Sequence, residues 1–213
     1  MVPNVSRKKA AEPKVEEQTN DLGMFEPMVD LTANPVPVST FDDSDNLEVF
    51  SRSGKIPKYA TEGSACFDLE AYLKEGDTVS VYRFDNSLDQ VRVRSADGVG
   101  YFVLGPSQRA LIPTGLFFNI PKGYEINVYA RSGTSWKNGL CLTNSVGIID
   151  SDYTNELMVS MINHSGRAIR IQNGERIAQA ALRMSTVANF VPIKALPKKK
   201  GKRVGGFGST GVK

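Results

Sequence analysis

The sequence predicts an all-β domain, a sandwich, jelly roll or barrel, and three observations carry that prediction. Short apolar runs recur from about residue 48 onward, glycines punctuate them at close intervals, and long helical periodicity is missing. The chain has 213 residues, 40% of them hydrophobic and 23% charged, with 19 glycines. That composition is globular, so most of the chain can bury a core, and a wholly disordered or collagen-like protein is excluded.

Taken in order, residues 1–47 come first, with Pro3, Pro13, Pro27, Pro35 and Pro37, many acids and few large apolar side chains. Such a segment buries too little apolar surface to offset chain entropy, so the expectation is a disordered acidic arm. The β domain is expected over residues 48–193. Its strand candidates are Val79–Phe84, Val91–Arg94, Tyr101–Leu104, Leu111–Ile120, Glu125–Ala130, Leu157–Ile162 and Ile177–Leu182. Val79 and Val81, then Val91 and Val93, alternate with polar residues, as a strand with one buried face requires. Residues 77–100 read as a hairpin across Asp85–Asp89, either an insertion or part of the core. After Val191 the chain turns to Pro192, Pro197, lysines and a glycine-rich end, giving a third segment over 194–213.

Charge is unevenly spread. The formal net charge is +3, yet residues 1–50 hold ten acids against four bases, while residues 194–213 hold seven bases and no acid. Clustered Lys and Arg suit nucleic-acid backbone, a phosphorylated small ligand, or plain solvation, and charge alone does not choose among them. No run approaches the roughly 18 apolar residues of a membrane helix, and Arg7, Lys8 and Lys9 precede polar sequence, unlike a secretory signal. Cys66 and Cys141 have no metal-type spacing. An intracellular, cytoplasmic protein with two small buried cysteines is expected.

Four constellations could carry chemistry. Gly147-Ile148-Ile149-Asp150-Ser151-Asp152-Tyr153 delivers two acids and an aromatic ring after an apolar run. In a period-two strand Asp150 and Asp152 would share a face and could activate water or contact a divalent ion; otherwise they form a solvated turn. Arg131-Ser132-Gly133 combines a planar multi-donor fork, a hydroxyl and an open backbone, which fits phosphate as well as it fits a surface turn. In Gly174-Glu175-Arg176-Ile177-Ala178-Gln179 the glycine suits a turn, Arg176 suits an ion pair, and Gln179 is left as the ligand contact. Finally, Gly205-Gly206-Phe207-Gly208-Ser209-Thr210-Gly211 could fold over a ligand, with Phe207 on a flat ring and the hydroxyls on phosphate oxygens. His164, in Asn163-His164-Ser165-Gly166, reads as a turn residue.

With Ala65-Cys66-Phe67-Asp68-Leu69 placed before them, these pieces in this order resemble the five motifs of the trimeric deoxyuridine triphosphatases (dUTPases, dUTP diphosphatases). The resemblance covers roughly residues 50–213 and leaves the N-terminal arm and the 77–100 hairpin as additions. It implies a distorted jelly-roll subunit in a homotrimer whose active sites are shared between subunits. It further implies that Asp150 deprotonates the water attacking the α-phosphorus of dUTP, releasing dUMP and pyrophosphate. That reaction keeps uracil out of DNA and supplies dUMP for dTMP synthesis.

By the same resemblance Asn144, Gly147, Ile148, Ile149 and Met158 hold uracil, and Tyr153 packs under the deoxyribose. Arg131, Ser132, Gly133 and Gln179 bind the triphosphate with Mg²⁺, and Asp68 lies near the water shell of that ion. Phe207 covers the base while Arg203, Gly208, Ser209 and Thr210 meet the phosphates, which gives the basic tail a small-molecule partner instead of nucleic acid. A protein partner for the acidic arm or the hairpin remains an open expectation.

The sequence departs from the family pattern at two motifs. Lys202-Arg203-Val204-Gly205 stands where Arg-Gly-any-Gly is usual, so Lys202 or Arg203 fills the arginine role, and the fork favours Arg203. Asn155 takes a glycine position, which its tolerance of the left-handed conformation allows. Two rivals stand beside this reading. A dCTP deaminase of the same fold typically carries Arg-Ser-Ser where this chain has Gly133, and a pure binding scaffold has no use for the full constellation.

Overall fold

The computed structural model describes residues 46–198 together with 200 and 201. The acidic arm, but for Asn46 and Leu47, and the segment from Lys202 that includes Arg203, Phe207, Gly208, Ser209 and Thr210 lie outside the described residues.

The elements run β1 Glu48–Ser51, β2 Phe67–Glu70, β3 Thr78–Tyr82, β4 Leu88–Arg92, β5 Arg94–Ala96, β6 Val99–Leu104, β7 Arg109–Pro113, β8 Leu116–Asn119 and β9 Tyr124–Ala130. A short helix, α1 Ser132–Asn138, then leads to β10 Leu140–Leu142, β11 Val146–Ile149, β12 Met158–Asn163, β13 Ile169–Gln172 and β14 Arg176–Met184. They form a five-stranded sheet in the order β10-β12-β7-β3-β4, a four-stranded sheet β11-β9-β14-β2, a three-stranded sheet β13-β6-β5 and the pair β1-β8. The all-β class is as the sequence predicts.

Burial alternates along the strands: Val79 and Val81 of β3, Ala110 and Ile112 of β7, and Ile126 and Val128 of β9 all face inward. These faces meet in one cluster, around Leu69, Phe102, Leu104, Ile112, Met161 and Ile171. Each such large side chain contributes about 1.5–3 kcal/mol through removal from water. Among the described residues no helix is long and apolar enough to cross a membrane.

Four features differ from, or sharpen, the sequence reading. The run Leu111–Ile120 is two strands, because the chain turns at Thr114-Gly115. Gly115 has φ +68°, and a Cβ there would lie 2.9 Å from Tyr72 Cγ, so only glycine fits without strain. The Arg131-Ser132-Gly133 stretch opens a helix instead of a plain turn. Its seven residues are too few to show periodicity, and Gly139 stops it in the left-handed conformation at φ 68°. Within 77–100 the hairpin forms: β3 lies between β4 and β7 in the five-stranded sheet and buries Val79 and Val81, while β5 and the start of β6 belong to the three-stranded sheet. Cys66 and Cys141 are free and half-buried, less enclosed than expected.

Candidate active site

One row of the four-stranded sheet places the polar residues. Asp68 on β2 pairs with Gln179 on β14, which pairs with Tyr129 on β9, which pairs with Val146 on β11. Arg131 follows two residues after Tyr129, at the mouth of α1. Its Nε donates to Asp68 Oδ1 at 2.8 Å, and its Nη1 donates to the carbonyl of Arg176 at 3.3 Å. Arg176 Nη1 donates to Asp68 Oδ2 at 3.0 Å. A register shift between Arg176 and Ala178 lets β14 carry an extra residue here, and such a bulge re-aims a side chain. Gln179 Nε2 donates to the carbonyl of Ala130 at 3.1 Å, which holds the amide beside the end of β9.

Two guanidiniums therefore share one carboxylate, leaving an excess of one positive charge and unspent N–H donors. The Asp68 and Arg131 side chains are only 20% and 26% exposed, whereas that of Arg176 is 53% exposed. Ser132 and Gly133 occupy the exposed first turn of α1, which has no acidic residue and no side-chain cap. Its leading N–H groups have no intrahelical acceptor. A Cβ on Gly133 would meet nothing within 4 Å, so the fold itself does not require glycine there. Asp68 and Arg176 also border a cavity of about 640 Å³, to which Lys55 and Lys58 add cations. Neither lysine sits in a sequence pattern that could have marked it. Arg176, expected to pair with an acid, does so with Asp68.

The second group lies on the β10–β11 hairpin and beyond. Asn144 is exposed in the turn, and its carbonyl accepts the N–H of Val146 at 2.6 Å. Gly147 is buried against β9, where a Cβ would come within 3.1 Å of Val128 Cβ. Ile148 points the other way and is 58% exposed, while Ile149 is half-buried against the core. The strand ends at Ile149, so Asp150 and Asp152 lie in an exposed turn, closed by the N–H of Tyr153 to the carbonyl of Asp150 at 3.1 Å. They do not share a strand face. The Tyr153 hydroxyl donates to the carbonyl of Glu156 at 2.9 Å. Met158 starts β12 on the other sheet, paired with Pro113, and borders a cleft of about 430 Å³ with Arg52 and Tyr72. His164 is an exposed turn residue, as expected.

The two groups are well separated within the chain. Asp68 and Val146 share a row three strand spacings wide, and Asp150 lies four residues beyond Val146, just past the end of β11. At about 4.8 Å per strand and 3.4 Å per residue, the backbones at Asp68 and Asp150 are roughly 20 Å apart.

No group of three or more His, Cys, Asp or Glu gathers to cage a metal among the described residues. Each Asp68 oxygen accepts one guanidinium hydrogen bond and keeps a second acceptor position, which fits a water of a hydrated cation better than direct ligation.

The dUTPase family model matches residues 99–211. The deoxyuridine 5'-triphosphate nucleotidohydrolase of Rhizobium rhizogenes is 36% identical over 157 residues, covering 74% of this chain and 85% of that protein. Among solved structures, a variant of the Staphylococcus bacteriophage 80alpha dUTPase with dUpNHpp is similar, with a TM-score of 0.60 and 21% identity. The match covers 79% of this chain and 99% of that one. A variant of the dUTPase from phage phi11 of S. aureus, described with a structural Mg(II) ion, matches with a TM-score of 0.54 and 18% identity, over 72% and 99% of the two chains.

Proposed function

Because the chain belongs to the dUTPase family and is a dUTP diphosphatase, we propose that its reaction centre is assembled between subunits of a homotrimer, with Asp150 as the base. The geometry that carries this reading is the backbone separation of roughly 20 Å between Asp68 and Asp150 in one chain. Reacting atoms must come within about 3–3.5 Å, so a triphosphate gripped at one group needs the other from a neighbour. Cyclic closure of identical subunits supplies it. A second support is the chain after β14, where Phe190, Val191, Ile193 and Leu196 are 65–93% exposed, a run of apolar surface suited to cover by another copy.

In this mechanism Arg131 and the Gln179 amide hold the triphosphate, with Ser132 adding a hydroxyl and Gly133 leaving its backbone open to a phosphate oxygen. Asp68 keeps the Arg131 fork aimed. From the neighbouring subunit, the Asn144 amide meets the uracil edge and the strand Gly147-Ile148-Ile149 supplies its apolar wall, with Met158 at the rim. The Tyr153 ring lies under the deoxyribose and leaves no space for a 2′-hydroxyl. The Asp150 carboxylate takes a proton from water as the oxygen of that water bonds to the α-phosphorus. The bond from the α-phosphorus to the bridging oxygen breaks, and pyrophosphate leaves.

Mg²⁺, when bound, neutralises charge on the phosphate oxygens. Asp68 would hold its water shell. Arg203, Phe207, Gly208, Ser209 and Thr210 are assigned to closing over the bound nucleotide. The segments 1–47, 48–193 and 194–213 are read as acidic arm, β domain and closing arm, in a cytoplasmic protein with no nucleic-acid ligand.

Pyrophosphate release from each deoxynucleoside triphosphate and from UTP, with Mg²⁺ or chelator, tests this. Turnover selective for dUTP, dependent on Mg²⁺ and abolished by Asp150→Asn is the expected result. Retention of turnover by Asp150→Asn overturns the role given to Asp150.

A further inference from the structure

The loop from Asp150 to Leu157 carries both the base and the sugar-facing ring of the reading above, on which this inference rests. Its internal hydrogen bonds run through Tyr153, from its N–H to Asp150 and from its hydroxyl to the carbonyl of Glu156. A tyrosine ring tethered to a carbonyl is only as fixed as that carbonyl. Glu156 is itself anchored outside the loop: its Oε1 accepts the N–H of Gly115 at 2.8 Å, and its Oε2 lies 3.7 Å from Arg52 Nε. The side chain is 20% exposed.

Both anchors belong to the framework. Gly115 sits in the tight turn between β7 and β8, packed on Tyr72, and its carbonyl accepts the N–H of Arg52 at 2.8 Å. The Arg52 guanidinium lies over the Phe117 ring at 5.2 Å. One residue on, the N–H of Leu157 donates to Leu116 at 2.8 Å and its carbonyl accepts the buried Thr114 hydroxyl at 2.6 Å. The Glu156 carboxylate thus extends the pinned region toward Tyr153.

We propose that Glu156 is a positioning residue that holds Tyr153 in place and thereby sets the discrimination between dUTP and UTP. Exclusion of one hydroxyl by contact works only while the excluding ring cannot retreat, because a yielding apolar wall rejects an added hydroxyl weakly. The backbone tether of Tyr153 to Asp150 passes part of the same slack to the base.

The test compares kcat/KM for dUTP and UTP in Glu156→Gln, Glu156→Ala and Glu156→Asp, with melting temperatures alongside. Glu156→Gln retains an acceptor for Gly115 and should stay within about twofold of the parent ratio. Glu156→Ala should lower the dUTP-to-UTP ratio by about tenfold or more. Glu156→Asp withdraws the carboxylate by one methylene and should lower the ratio less, giving the same readout at a smaller stability cost. Tyr153→Phe should shift the ratio in the same direction, and adding Glu156→Ala to it should shift it little further, since the two act through one contact. An equal fall for both nucleotides, or a lower melting temperature with the ratio unchanged in whichever of the Ala and Asp variants folds, overturns the proposal. Asp150→Asn separates the two levels: turnover surviving it refutes the underlying mechanism, whereas lost turnover with an unmoved ratio in the Glu156 variants refutes this inference alone.

Discussion

Two inactive variants assembled into one oligomer should regain activity. Arg131→Ala removes the triphosphate grip from a chain while leaving Asp68 its second partner, Arg176 at 3.0 Å, so the corner of the sheet keeps a compensated carboxylate. Asp150→Asn changes one exposed turn residue that closes its turn through its backbone carbonyl, so the fold is untouched. The two positions lie past opposite ends of the neighbouring strands β9 and β11, about six residues and one strand apart, which is roughly 20 Å between their backbones. If a site takes Arg131 from one subunit and Asp150 from its neighbour, random assembly of equal amounts leaves each half intact half of the time. About a quarter of the sites then carry both wild-type residues in a closed ring. After co-expression, sequential capture through two different tags removes the unmixed trimers, and each mixed trimer keeps one intact site in three, so pyrophosphate release should be about a third of the parent rate per subunit. Activity no greater than the sum of the two single variants would refute the shared site and require both halves to meet within one chain.

Three further outcomes are expected. Gly115→Ala places a Cβ 2.9 Å from Tyr72 at φ +68° and should cost about 1–3 kcal/mol, read as a lower melting temperature. Gly133→Ala meets open space and improves a helical position, so the melting temperature should hold or rise. Its KM for dUTP should nonetheless rise about tenfold or more, because the added methyl obstructs the approach of a phosphate oxygen to the backbone N–H, and a hydrogen bond to a charged group is worth about 1.5–3 kcal/mol. At the β3–β4 hairpin, the Ser87 hydroxyl and then its N–H, at 2.7 and 2.9 Å, hold the Asp85 carboxyl below the usual carboxylate range. A depressed folded-state value adds stability above the unfolded value of about 3.9, and that stability is lost as pH falls through the folded value. Ser87→Ala should move the Asp85 titration upward, as followed by NMR of its side-chain carbon.

How much of this was legible depended on whether the signal was local. Val79 and Val81 announced β3 by alternation, and the structure buries both. Alternation does not reveal a strand's neighbours, so the 77–100 segment read equally as an insertion or as part of the core, and the structure puts β3 inside the five-stranded sheet. The short α1 and the three-residue β10 lack the length for periodicity to register. At the site, residue types raised Arg131, the pair Asp150 and Asp152, and Gln179 as candidates beside plain turns, and the family resemblance singled out Asp150. Spacing could not show that Asp68 on β2, 63 positions from Arg131, meets it across β14, because that contact is made by register alone.

The glycines carry the same distinction between fold and chemistry further. Gly115 and Gly147 sit where a side chain would strike Tyr72 or Val128, so the packing of the subunit itself accounts for them. Gly133 has open space around it and sits in a helix, where alanine would be the more stabilising residue. A residue that costs stability and satisfies nothing among the described residues is accounted for by a ligand. Ser132 and Arg131 beside it, and the excess positive charge at Asp68, give that ligand the character of an anion. The glycine at 133 and the distance to Asp150 therefore support the same proposal, a site shared between subunits, and the complementation of Arg131→Ala by Asp150→Asn is the experiment that decides it.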